Sequence, residues 1–189
     1  MSIAAGFASE ILKQVKLNDG RTEFQSWAHN FNLIKPMPMK LENFVEHFLY
    51  QMNSEENLIV YAFMVLDRAF EEMTSLNVHR MVFTALTISY KFCTDCPATN
   101  MQIEKVGGLK PGELMALETV LLDVCQWKIN HLQYDDTENY LLEAGEIEIA
   151  SRKELDIEEF GDMDDFEDCD MNTCESNESF SELGAFFTF

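Results

Sequence analysis

Asn77–Cys96 reads NVHRMVFTALTISYKFCTDC. On a helix, Val78, Met81, Val82, Phe83, Ala85, Leu86, Ile88, Tyr90 and Phe92 leave almost no polar side, and a helix apolar all round is usually enclosed by other helices. The stretch therefore predicts a central buried helix with the rest of the domain packed around it. Its one lysine, Lys91, stands near the far end. A lysine in a last helical turn complements the helix dipole, and its stem covers apolar surface while the ammonium stays wet. From this helix alone, Lys91 needs no partner.

The flanking sequence supplies the surrounding helices. Ile11, Leu12 and Val15 line a first short helix that Asn18-Asp19-Gly20 ends as a turn. Phe24, Trp27, Ala28 and Phe31 fall at i, i+3, i+4 and i+7, one apolar face of a second. The two prolines of IKPMPMK (34–40) then interrupt the chain, because each disfavours helix in the residue before it. Phe44, Val45, Phe48, Leu49 and Met52 form the next helix, and Ser54 offers an N-cap for one running through Met73. Beyond the central helix, Thr99 and Gln102 make a capping box, Gly107-Gly108 ends that short helix, and Pro111 opens another through Trp127. No alternating strand pattern of useful length occurs, so the expected class is all-α.

Charge divides the chain. With 189 residues and 47% hydrophobic content it can bury one sizeable core. The net charge of -21, from 13 basic and 34 acidic residues, argues against binding nucleic acid or an anionic membrane, which attract basic patches. Residues 1–142 hold 18 acids and 11 bases, whereas 143–189 hold 16 acids and 2 bases. Such dense like charge with few aliphatic residues predicts a disordered acidic tail. Within it, Ser179 has Glu182 three residues on, a setting suited to acidophilic kinases, and Phe180, Leu183, Phe186, Phe187 and Phe189 could dock as a short amphipathic segment. No apolar run reaches membrane-spanning length, MSIAAGFASEILKQ lacks the features of a signal peptide, and five scattered cysteines suit a reducing compartment. The expected location is intracellular, in cytoplasm or nucleus.

Several ordered elements together resemble a known family. NVHRMVFTALTISYKF followed by KVGGLKPGELMALETVLLDVCQWKI, with VYAFMVLDRAF upstream, is similar to a cyclin box, most closely to the phosphate-pathway (P/U-type) cyclins. The likeness spans about Leu41 to Leu132 and rests on Leu66-Asp67-Arg68, Asn77 to Arg80, Lys91-Phe92, Val106-Gly107-Gly108, Glu113-Leu114 and Leu117-Glu118. It implies a five-helix bundle around a central helix over 41–142, an N-terminal helical extension over 1–40 and the acidic tail over 143–189. It further implies a regulatory subunit that is not itself an enzyme, with no cofactor and no metal, whose partner is a cyclin-dependent protein kinase. In the family, a lysine and a glutamate hydrogen-bond backbone groups at the kinase's mobile C-helix, and the matching residues are Lys91 and Glu118. Tyr90 and Leu114 are expected as apolar neighbours on the same surface. Asp67 and Arg68 match internal positions of the box, the aspartate pairing with a basic residue of the first box helix. The sequence departs from the family there, since His47 stands where most cyclins carry arginine. Arg80 replaces an apolar residue of animal cell-cycle cyclins, and Met115 a polar residue common in the phosphate-pathway class.

Other motifs carry less. Cys93 to Cys96 has CxxC spacing but lacks a second ligand pair for zinc and the βαβ context of a redox motif. His79 reads as a capping or packing residue. No nucleophile with a matching base, glycine-rich phosphate loop or HExxH occurs. A cyclin-box helical adaptor for a non-kinase partner is the other reading, for which Lys91 and Glu118 would have no binding role.

Overall fold

The computed structural model describes residues 2–129 and 133–160. Among them every regular element is helical. The helices are α1 (Ser2–Asn18), α2 (Leu41–Met52), α3 (Asn57–Leu66), α4 (Val78–Cys93), α5 (Asn100–Gly107), α6 (Glu113–Val124) and α7 (Tyr134–Phe160), with 3-10 turns at Ser26–Phe31 and Asp67–Glu72.

The expected central helix is α4, buried from Val78 through Tyr90, with α2, α3 and α6 packed on it. Its hydroxyls survive burial because each donates to a carbonyl one turn back: Thr84 to Arg80 at 2.8 Å, Thr87 to Phe83 at 2.9 Å and Ser89 to Ala85 at 2.9 Å. Phe83 meets the Phe48 ring edge-on at 5.6 Å. A Cβ on Gly107 would fall 2.3 Å from the Phe83 ring, so glycine is what lets the end of α5 close on α4. The Thr99–Gln102 capping box forms, and Gly108 ends α5 in the left-handed region at φ 61°.

Element boundaries move where turn chemistry overrides periodicity. Ser54 does not cap α3; its hydroxyl turns back to the Met52 carbonyl, and the helix expected to reach Met73 tightens into a 3-10 turn after Leu66. Pro111 stays outside α6. Gly112 at φ 84° separates them, and Glu104 of α5 accepts from the Gly112 and Leu114 N–H groups at 2.8 and 3.3 Å, supplying the cap from another helix.

The largest departure lies at the ends of the chain. The first helix spans 17 residues rather than a short segment, and α7 runs straight through the expected boundary at residue 142. Leu141, Ala144 and Gly145 are buried against α1. A Cβ on Gly6 would lie 1.9 Å from the Leu141 carbonyl oxygen and 2.8 Å from the Gly145 amide nitrogen, so the two backbones touch with no side chain between them. Ser9 donates to Glu148 at 3.1 Å, and Arg152 bonds Glu42 of α2 at 2.7 Å. Residues 143–152 thus pack with the helical body. Ser179 and the Phe-rich end, 180–189, for which modification and docking are expected, lie outside the described residues. Among the described residues no helix is long and apolar enough to cross a membrane.

The expected contact between His47 and Asp67 is corrected: no hydrogen bond or ion pair joins them among the described residues. The turn carrying Asp67 is drawn to α1 instead, where Asn18 donates to the Phe70 and Met73 carbonyls at 2.7 and 2.9 Å. That leaves Asp67 and Arg68 exposed, while half-buried His47 rides on α2. The histidine that does enter the core is His79. Its Nε2 donates to the Met39 carbonyl at 3.0 Å, its ring stands edge-on to Phe44 at 5.3 Å, and its buried Nδ1 has no hydrogen-bond partner. It is a packing residue, as expected, and burial pushes its pKa below the ordinary value.

Two predictions follow from this packing. Gly6→Ala should destabilise the chain by roughly 1–3 kcal/mol through overpacking against backbone that cannot swing aside, lowering the melting temperature by about 2–4 °C for each kcal/mol. Gly20→Ala, whose new methyl would meet nothing within 4 Å, is the control, and truncation after Leu142 should also lower it. Equal melting of Gly6→Ala and parent would show that α1 and α7 do not cross closely. For His79, the unfolded chain takes up the proton more readily than the folded one. Its contribution is full above the unfolded pKa of about 6.5 and is lost as pH falls through the depressed folded value. The parent should therefore lose more melting temperature than His79→Gln between about pH 7.5 and about pH 5.5; parallel losses would remove His79 as the cause.

Candidate functional site

After Arg80 the next charged side chain along α4 is Lys91, where the helix leaves the core. Its ammonium nitrogen lies 2.7 Å from each carboxylate oxygen of Glu118, in the middle of α6, and 2.7 Å from Oδ1 of Asn100, the first residue of α5. The end of α4, the start of α5 and the middle of α6 therefore meet at one charged group. The Lys91 side chain is 27% exposed and that of Glu118 11%, so the pair is half sunk yet reachable. At such a depth water screens it less than a surface pair.

The supports of this geometry are local. Thr99 fixes the start of α5 through its capping box, which sets where Asn100 begins. The segment between α4 and α5 is anchored at both ends, by the Thr94 N–H donating to the Tyr90 carbonyl at 3.0 Å and the Ala98 N–H to the Tyr90 hydroxyl at 3.1 Å. Phe92 packs on Tyr61 at 5.5 Å between ring centres, and Tyr61 on Tyr134 at 5.0 Å. Burial, with Glu138 beside it, pushes the Tyr134 phenol up to about 12, so it is an uncharged part of this cluster.

Exposed apolar residues neighbour the three residues along the chain. Phe92 is 45% exposed beside Lys91, Met101 62% beside Asn100, and Met115 63% one turn before Glu118. A half-sunk charged group on elements that also carry exposed Phe and Met has the composition of a protein-binding surface. Met115, in place of the polar residue expected from the resemblance, adds apolar area here rather than a hydrogen bond.

The structure brings Lys91 and Glu118 together as one unit. Tyr90 and Leu114, expected on the same surface, are corrected: both are buried, Leu114 completely. Tyr90 precedes the point at which α4 emerges and turns its hydroxyl to the Ala98 amide. Leu114 is on the inward side of α6, four residues before Glu118. They support the surface from within. Asp67, Arg68 and His47 lie elsewhere. Arg80 is buried and ion-paired with Glu113 across α4 and α6, with Nε unpartnered, so its charge is spent inside the fold. Cys93 and Cys96 are exposed free thiols, and partial burial pushes the Cys93 thiol pKa up. Among the described residues no group of three or more potential ligands could hold a metal ion.

Asn100 is the site residue that the sequence reading missed. The available signal was its place directly after the capping threonine, where its backbone position is fixed.

The Cyclin family model matches residues 12–129, a span holding Lys91, Asn100 and Glu118. The chain is 27% identical to Cyclin-U4-3 of Arabidopsis thaliana over 128 residues, 65% of this chain and 58% of that protein. It is 32% identical to Cyclin-P2-1 of Oryza sativa subsp. japonica over 98 residues, 50% and 45% of the two chains. With PHO85 cyclin-7 of Saccharomyces cerevisiae it shares 40% identity over 57 residues, 30% of this chain and 20% of that one. The chain spans about half the length of the first two relatives. With the family model matched over more than half of its residues, and with P-type, U-type and PHO85 cyclins as relatives, the chain belongs to the cyclin family.

Proposed function

We propose that this cyclin is the non-enzymatic regulatory subunit of a cyclin-dependent protein kinase, and that the Lys91–Glu118 surface seats the kinase's mobile C-helix. The observation that carries the reading is the partly exposed ion pair between the end of α4 and the middle of α6, on elements that also expose Phe92, Met101 and Met115. PHO85 cyclins among the relatives support a kinase as the partner.

The chemistry suits the task. A protein kinase orients ATP only when its β3 lysine is paired with a C-helix glutamate, so a partner that holds this helix inward switches the enzyme on without contributing a catalytic group. Lysine is a donor only and carboxylate an acceptor only, so Lys91 can take a backbone carbonyl and Glu118 a backbone N–H of the same partner. Charge-assisted bonds of this kind are short and directional. Exposed apolar neighbours add packing, and buried Tyr90 and Leu114 hold the frame. The complex would form inside the cell, in cytoplasm or nucleus.

Lys91→Ala and Glu118→Ala should each keep the helical circular dichroism spectrum while weakening binding to a co-expressed cyclin-dependent kinase by about 2–5 kcal/mol. Kinase activity toward a peptide should fall in parallel. Parent-like binding and activation by both variants would move the interface elsewhere. Capture of a non-kinase protein alone, insensitive to both substitutions, would support the adaptor reading instead.

A further inference from the structure

We infer that Asn100 is a positioning residue that aims the free N–H of Lys91 at the partner; the inference rests on the kinase-binding reading above. An ammonium carries three N–H donors. The two oxygens of Glu118 lie equally near Nζ, at 2.7 Å. They subtend a far narrower angle there than the tetrahedral spread of the N–H bonds, so one N–H directed between them serves both. Asn100 Oδ1 takes a second, also at 2.7 Å. The third N–H has no acceptor among the described residues, and the side chain is 27% exposed.

Two fixed acceptors determine the direction of the third bond. With Glu118 alone the ammonium could turn about its single hydrogen bond. With Asn100 added that rotation stops, and the remaining donor points one way before any partner arrives. Ordering done in advance need not be done on binding. The amide orientation is also determined, because an ammonium cannot accept and Oδ1 must face it. A neutral acceptor suits the position: it holds the lysine without a second negative charge competing with an incoming carbonyl for the ammonium.

Asn100 is itself held rigidly. The capping box fixes Thr99, and the Ala98 amide is tied to the Tyr90 hydroxyl. The buried tyrosine of α4 thereby sets the place of the residue that aims Lys91, and the chain returns to within 2.7 Å of Nζ nine residues on.

The test uses the full chain, free and with a cyclin-dependent kinase. Nitrogen-15 NMR of the lysine side chains should show a slowly exchanging Lys91 ammonium in the parent, identified by its loss in Lys91→Ala. Asn100→Ala should lose that signal, retain the melting temperature to within a few degrees, and bind the kinase roughly tenfold more weakly. Asn100→Asp, which keeps the acceptor, should restore the ammonium signal. A purely helix-starting role for Asn100 would leave the ammonium signal untouched in Asn100→Ala, and that result overturns the inference. So does parent-like kinase affinity of Asn100→Ala while Lys91→Ala binds weakly, an outcome that leaves the kinase-binding reading standing. Failure of the parent itself to bind any cyclin-dependent kinase overturns both.

Discussion

Every residue from Val78 to Tyr90 is buried in one helix, and a helix enclosed on all sides must satisfy its own polar groups because water cannot reach them. Thr84, Thr87 and Ser89 do so through carbonyls of α4 itself, and Arg80 in part, through Glu113 of α6, while its Nε and Nδ1 of His79 stay unpartnered. Full burial of each large apolar side chain contributes about 1.5–3 kcal/mol, which fixes α4 against its neighbours. Charge can then appear along this helix only where it is paired or where the helix ends. Lys91 occupies the end.

That constraint makes a helix terminus into a site. A lysine on a free surface helix samples many rotamers, and ordering it on binding is costly. Here its stem leaves a rigid core, and the ammonium meets two acceptors supplied by separate helices, Asn100 of α5 and Glu118 of α6. The placement of those helices depends on the same core. Gly107 lets α5 close on Phe83, and Glu104 of α5 caps the start of α6. The binding geometry is therefore a property of the whole bundle, and α1 with α7 encloses its other side.

Much of this was legible in the sequence where a local rule and the tertiary structure agree. The all-round apolarity of 78–92 gave the central helix, Thr99 and Gln102 gave the cap, and Gly107-Gly108 the stop. Lys91 and Glu118 came from the family resemblance rather than from the helix alone, where an ordinary lysine at a helix end was the simpler account. What was not legible depended on averages or on distant contacts. The acidity of 143–160 hid the close approach of the Leu141–Gly145 backbone to Gly6, more than 130 positions away. The burial of Tyr90 and Leu114 is set by how neighbouring helices cover the end of α4 and the start of α6, which sequence spacing does not settle. His47 and Asp67 failed to meet because Asn18 draws the turn after α3 toward α1. Asn100 reaches Lys91 only through a loop whose return path no local pattern specifies.

Hydrogen–deuterium exchange of the purified cyclin–kinase complex, compared with the free chain, tests the central claim most directly. The account expects added protection at the end of α4, across 94–101 and over the first two turns of α6, with α1 and α7 exchanging as in the free chain. Protection confined to α1, α2 or α7, with 91–101 and 113–119 unchanged, would contradict it.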